Sequence, residues 1–222
     1  MVKTLAFIAR REDIERDAFR DHYESVHSPL ALPILDGLER YLRHHVRREL
    51  EGTPFFDCVT SFWWRDGTAL NALLSRLDGP EGAAVRADEL TFMRKEANRS
   101  FGVQERVLRR SASRGRMDRL VLAKRPDDMT LGEFLADYER HLVARLKGLG
   151  APGDCIQNRG LSFAGQEAAF DCVTCFGFEG SGSESRHSDQ ADRWAREFAR
   201  PLLAGGAQLL VLAVSEHETE IG

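Results

Sequence analysis

The stretch "FFDCVTSFWW", Phe55 to Trp64, has a counterpart in "AFDCVTCFGF", Ala169 to Phe178. The shared FDCVT cores stand 114 positions apart, Asp57 against Asp171. Both are rich in β-branched and aromatic residues, the composition of strands. Working outward, the order repeats. "LAFIARREDIERDAFRDHYESV" from Leu5 matches "LVLAKRPDDMTLGEFLADYERH" from Leu120 as an apolar run, a charged turn and a helix. Phe19 then pairs with Phe134, and Tyr23 with Tyr138. "FGVQERVL" from Phe101 and "LLVLAVSEHE" from Leu209 read as matching closing strands. Self-similarity in the same order along the two halves reads as a tandem duplication.

Each half reads strand, helix, strand, strand, helix, strand. "KTLAFIAR" is apolar enough for a strand covered on both sides. From Glu12 to Leu30 a single helix is expected, with Phe19, Tyr23, Val26, His27 and Leu30 on one face and Arg16, Arg20 and Glu24 on the other. Pro29 restricts Ser28 and predicts that this helix ends just past His27. "RYLRHHV" and "FFDCVTSFWW" follow as strands around the turn "RRELEGTP". A second helical region, "TALNALLSRL" and "ADELTFMRKEAN", is broken by Gly and Pro between Asp78 and Gly82. This is the β-α-β-β-α-β order of a ferredoxin-like unit, so the fold class is α+β, with two tandem units at 1–110 and 117–222. "RRSASRGR", Arg109 to Arg116, reads as the polar linker between them. "EGSGSESRHSD", Glu179 to Asp189, reads as a Gly/Ser-rich surface loop, with a lid over a pocket as the alternative.

The chain has 222 residues, 42% hydrophobic and 30% charged, ordinary for a soluble globular protein. Its net charge of -4 supplies no basic stripe for nucleic acid. "MVKTLAFIARRED" has too short an apolar run for a membrane span and no cleavage pattern, so a cytoplasmic location without membrane partners is expected. Cys172 and Cys175 form a C-x-x-C, yet in a strand residues three apart face opposite ways. With Cys58 and Cys155 they are expected to be structural.

Tyr23 and His27, four apart, are neighbours on the buried face of the first helix. His27 in a last turn gains from the helix dipole when charged and titrates near neutral pH, which suits an acid/base group. His22 lies at the boundary of that face. Along "RYLRHHV", His45 points with Tyr41 and Arg43, while His44 points with Leu42 and Val46 and is the better pocket-wall candidate. Asp57 shares a strand face with Val59, Ser61 and Trp63; it either orients a base or makes a strand-end hydrogen bond. His22, His27, His44 and Asp57 are metal-ligand types. His22 and His27 are five apart and share an α-helical face poorly, so no metal is expected.

"ARREDIERDAFRDHYESVHSPL", "LERYLRHHV" and "FDCVTSFWW" together resemble the EthD-like family, named for ethyl tert-butyl ether degradation. Its pattern is a helix F-x-x-H-Y-x-x-x-H-x-P-L, a strand R-Y-x-x-x-H, and an Asp opening the next strand. The resemblance implies a dimeric α/β-barrel, built here intramolecularly by the two halves, in a monomer with an internal pseudo-dimer or in a homodimer. It also implies a pocket for a small hydrophobic or aromatic substrate, with acid/base side chains in place of a tightly bound cofactor. The motif positions are His22, Tyr23, His27, Tyr41, His44 and Asp57. In the second half His22 becomes Asp137, His27 becomes Leu142 beside His141, and His44 becomes Asn158, while Phe134, Tyr138 and Asp171 remain. The fold needs its residues in both copies, whereas chemistry can be lost from one. Phe19, Tyr23 and Asp57 are therefore partly architectural and His22, His27 and His44 the better functional candidates; the expected catalytic residues are His27, His44, Tyr23 and His22, with Tyr41, Asp57, Trp63 and Phe19 binding substrate.

The activity expected is cofactor-independent elimination, decarboxylation or isomerisation, with His27 as general acid/base. Two alternatives remain: a cofactor-free monooxygenase using the same pocket, and a non-catalytic binding or accessory protein for a hydrophobic metabolite or haem.

Overall fold

The computed structural model describes residues 1–112, 116–162, 167–178 and 185–221. Parts of the expected linker and of the Gly/Ser-rich loop lie outside the described residues. The strands are β1 (Val2–Ile8), β2 (Leu38–Glu51), β3 (Cys58–Trp64), β4 (Arg99–Arg109), β5 (Arg119–Lys124), β6 (Asp154–Gly160), β7 (Cys172–Gly177) and β8 (Gln208–Thr219). The helices are α1 (Arg16–His22), α2 (Ser28–Ala31), α3 (Gly67–Asp78), α4 (Ala83–Phe92), α5 (Leu131–Leu146) and α6 (Ser185–Ala204). The strands form a closed barrel in the order β1-β3-β2-β8-β5-β7-β6-β4, the α/β-barrel of two ferredoxin-like units. Among the described residues no helix is long and apolar enough to cross a membrane.

The chain divides into two compact units, Met1–His45 with Phe55–Gly102 and His217–Gly222, and Val46–Pro54 with Val103–Glu216. In the first, β1 and β2 both pair antiparallel with β3, Ala6 and Arg43 each opposite Thr60. Phe19, Tyr23, Tyr41, Cys58, Trp64 and Phe92 form its core. In the second, β5 and β6 flank β7, and Phe134, Tyr138, Phe176, Trp194 and Phe198 fill the core.

The same hydrogen bonds recur in both units. Tyr23 Oη lies 3.0 Å from Thr60 Oγ1, and Tyr138 Oη lies 2.7 Å from Thr174 Oγ1. The Asp57 amide donates to the Ile8 carbonyl at 2.8 Å, and the Asp171 amide to that of Ala123 at 2.9 Å. Each aspartate then accepts from the backbone amide two residues further on: Arg10 N–H at 3.2 Å and Arg125 N–H at 2.7 Å. Buried tyrosine and carboxylate both require partners, and the fold supplies the same ones twice.

Helix starts follow side-chain chemistry. Asp66 caps α3 by accepting from the Ala69 amide, and Thr130 with Glu133 forms a capping box on α5. The four cysteines are free and buried. Burial pushes the Cys172 thiol up to about 12 and that of Cys155 well above its ordinary range, so neither is reactive.

Candidate active site

The expected single helix through Glu12 to Leu30 is interrupted. After α1, Tyr23–His27 adopts a π-helical turn in which the Ser28 amide donates to the Tyr23 carbonyl, and the chain continues through Pro29 into α2. Proline lacks an amide hydrogen, and it sits here just after the wide turn, within the first residues of the next helical segment. The helix therefore does not stop past His27. The turn also changes which side chains face inward. Glu24, expected on the polar face, is half-buried against Arg43 and His45. Val26 and Leu30, expected inward, are 44% and 37% exposed.

The wide turn places His22 and His27 together. In a regular α-helix, positions five apart diverge by about 140° around the axis. A turn closed between i and i+5 returns them to one side. His22 Nε2 lies 2.8 Å from Asp88 Oδ1, and His27 Nδ1 lies 2.9 Å from Asp88 Oδ2. Asp88 sits on α4 and is not among the expected residues. Its signal in the sequence is a carboxylate three residues after Val85 and four before Phe92, both buried on α4. An acidic residue in an apolar stripe requires a partner.

Above the sheet lies a cavity of about 310 Å3, walled by residues of this unit alone. Tyr23, His27 and Tyr41 supply polar atoms, and Phe62, Trp64 and Leu73 contribute to the apolar wall. The rings of Tyr41, Phe62 and Trp64 form a stacked row, with centroids 5.1 and 5.7 Å apart and interplanar angles of 17° and 22°. Alternation along the strands puts them on one face of the sheet with Thr4, Ala6 and Ile8.

His27 is buried, which lowers its affinity for a proton; the hydrogen bond to Asp88 raises it but does not restore the ordinary value. The ring is a neutral base at pH 7. With Nδ1 engaged by Asp88, Nε2 is the nitrogen left to act on a ligand in the cavity. Burial holds Tyr23 and Tyr41 protonated far above neutral pH. Tyr41 Oη donates toward Tyr23 Oη at 3.5 Å, and Ser28 Oγ toward Tyr41 Oη at 3.4 Å. A base beside two hydroxyl donors in an apolar chamber can remove a proton and hold the negative charge that results.

Behind Tyr23 lies a second charged group. Glu24 accepts from Arg43 Nε at 3.1 Å and from His45 Nε2 at 2.6 Å. Burial opposes ionisation of Glu24, but His45 and Arg43 hold it down at about 2. Burial likewise opposes charging His45; Cys58 and Glu24 beside it prevail and raise it to about 9. His45 is therefore a charged structural partner, packed edge-on at 5.5 Å from the Tyr23 ring.

The remaining expected residues lie elsewhere. His44 is opposite Val59 in the β2–β3 register, so it faces away from Tyr41 and does not line the cavity. The apolar neighbours that favoured it as a pocket wall belong to the other side of the sheet. Trp63 is on that side too, with Lys3 Nζ 4.0 Å and Arg40 Cζ 4.6 Å from its ring centroid. Asp57 binds the Arg10 amide and the Arg16 guanidinium at 3.0 Å, so it fastens the β1–α1 connection. Phe19 is fully buried in the core against Tyr23 and Phe92 and stands outside the cavity lining.

Fold and site together define an α/β-barrel protein with a histidine–carboxylate pair over an apolar chamber. Residues 11–96 match the model of the EthD domain family. No curated protein matches the sequence. Among solved structures, an anthrone oxidase-like protein aligns with a TM-score of 0.59 at 14% identity, covering 98% of this chain and 92% of the other. A candidate monooxygenase from Lactobacillus acidophilus NCFM aligns at 0.52 and 9% identity, covering 99% and 96%. A candidate chlorite dismutase aligns at 0.53 and 10% identity, covering 97% and 95%. At such identities the likeness is one of fold.

Proposed function

We propose that the protein is an enzyme that removes a proton from a small hydrophobic or aromatic substrate held in the first-unit cavity. His27 Nε2 is the base, Asp88 orients the ring and stabilises the imidazolium, and Tyr23 and Tyr41 bind the oxygen on which negative charge develops. The observation that carries this reading is the His27–Asp88 bond at the wall of the cavity, beside its aromatic and aliphatic lining. The second unit has Leu142 where the first has His27, so one site per chain is proposed. The resulting carbanion or enolate leads to elimination or isomerisation; in a decarboxylation the carbanion is instead left by departing CO2, and the His27 ring, protonated, delivers a proton to it.

A second outcome of the same deprotonation is oxygenation. The names borne by two proteins of the same fold, anthrone oxidase-like and monooxygenase, favour it. For an anthrone, loss of the methylene proton gives an anion that combines with O2, and loss of water leaves the quinone carbonyl.

Anthrone itself tests both readings. Deuterium uptake at its methylene carbon, faster with protein than with the His27→Ala variant, supports the base. Oxygen consumption in the same tube assigns the oxygenase branch, and exchange without oxygen uptake assigns the other. Saturable binding with neither would leave a binding protein and overturn the enzymatic reading.

A further inference from the structure

The cavity has a charged end that proton abstraction does not use. Lys95 and Asn98 line it from the short stretch that leads into β4, and Arg99 and Ser100 from the first residues of that strand. Their place is fixed: Asn98 Oδ1 accepts from the Ala9 amide at 2.8 Å, and Phe101 stacks on Phe7 at 5.3 Å. The stretch therefore runs along β1 on the edge away from β3. Tyr41 is on β2, beyond β3. Tyr41 lies at the level of Thr4, and Asn98 at that of Ala9, so the two ends of the chamber are offset along the strands as well as across them.

The acidic and basic residue types in the lining, besides His27, are Glu89, Lys95 and Arg99. Glu89 forms an ion pair with Lys95, which leaves the Arg99 charge without a counter-ion among the lining residues. Arg99 Nη1 is held by the carbonyls of Glu96 and Asn98, each at 2.8 Å. Those bonds steady the guanidinium while using only one of its nitrogens. A guanidinium fixed in this way offers its other donors as a fork that matches a carboxylate.

We infer that the substrate is a planar aromatic carboxylate, its ring held in the apolar part of the chamber and its carboxylate bound by Arg99 at the charged end. This rests on the proposed reading of the cavity and adds the acidic group to it. One lining charge complements one anion, and a carboxylate anchored at Arg99 sets which carbon of the ring system faces His27.

The test uses 2-naphthoate and its uncharged methyl ester, with Trp64 in the wall reporting through fluorescence quenching. Wild-type protein is expected to bind the acid at least tenfold more tightly than the ester. Arg99→Gln should remove that preference by weakening the acid and leaving the ester unchanged. His27→Ala should keep the preference, so a failed base leaves this inference standing, and a failed preference leaves the base standing. Equal binding of acid and ester, an undiminished preference in Arg99→Gln, or no binding of either probe up to about 1 mM overturns it.

Discussion

The Nδ1 of His27 lies 2.9 Å from Oδ2 of Asp88, a pairing across 61 residues that joins a π-helical turn to α4. The same carboxylate holds His22 through its other oxygen. A carboxylate behind a histidine fixes the tautomer and raises the basicity of the outward nitrogen, so both residues of the pair have measurable consequences.

His27→Ala should lower turnover by about 100-fold or more, the usual share of a general base. Asp88→Asn removes the group that raises the His27 proton affinity against burial. The acidic limb of kcat/KM should then move to lower pH while the plateau falls. An NMR titration of the His27 ring gives the same answer without substrate: its pKa should lie below the ordinary histidine value in the wild type and lower still in the variant. A limb that stays in place would remove Asp88 from the mechanism.

The Glu24–His45 pair predicts how stability responds to pH. His45 is raised from 6.5 to about 9, so its contribution is complete below 6.5 and is lost as pH rises through about 9. Glu24 is lowered from 4.5 to about 2, so its contribution is complete above 4.5 and is lost as pH falls through about 2. His27, whose affinity is lowered by burial, also favours the folded state only when neutral and adds to the acid loss. Urea midpoints should therefore fall from pH 6.5 to 9 in the wild type. Glu24→Gln should flatten that alkaline slope.

Tyr23→Phe and Tyr138→Phe form a matched pair. Each removes a buried hydroxyl bonded to threonine, at 3.0 Å from Thr60 and 2.7 Å from Thr174. Each should cost about 1 kcal/mol of stability in denaturant titration. Turnover should fall only for Tyr23→Phe. Equal losses of activity would show that the tyrosine acts through the fold alone.

Ala6 points from β1 into the cavity, so Ala6→Leu puts an isobutyl group into existing space. Overpacking is costly where the interior is already full. Here the melting temperature should change by no more than a few degrees while aromatic probes lose binding. A large destabilisation with binding intact would mean that the space is not where ligands enter.

The order of elements and the strand faces were readable from letters because they rest on local periodicity and on comparison of the chain's two halves. Tyr23, His27 and Tyr41 could be named for the same reason. Period-2 alternation correctly separated His44 from His45. What alternation does not encode is which side of the sheet the helices cover, and this is why His44 and Trp63 were expected at the cavity and lie on the opposite face. Asp57 carried the right residue type for a site, but its partners Arg10 and Arg16 come from a connection whose path only the fold reveals.

The sequence by itself determined the β-α-β-β-α-β order in each half and the histidines of the first, because burial patterns are properties of the chain. Tertiary structure alone decided that His22 and His27 meet. A helical wheel drawn at 3.6 residues per turn separates them, and the extra residue of the π turn brings both onto Asp88. The wide turn, closed by the Ser28 amide on the Tyr23 carbonyl, sets both rings on one side, a placement that a regular wheel drawn over "HYESVHSP" does not give.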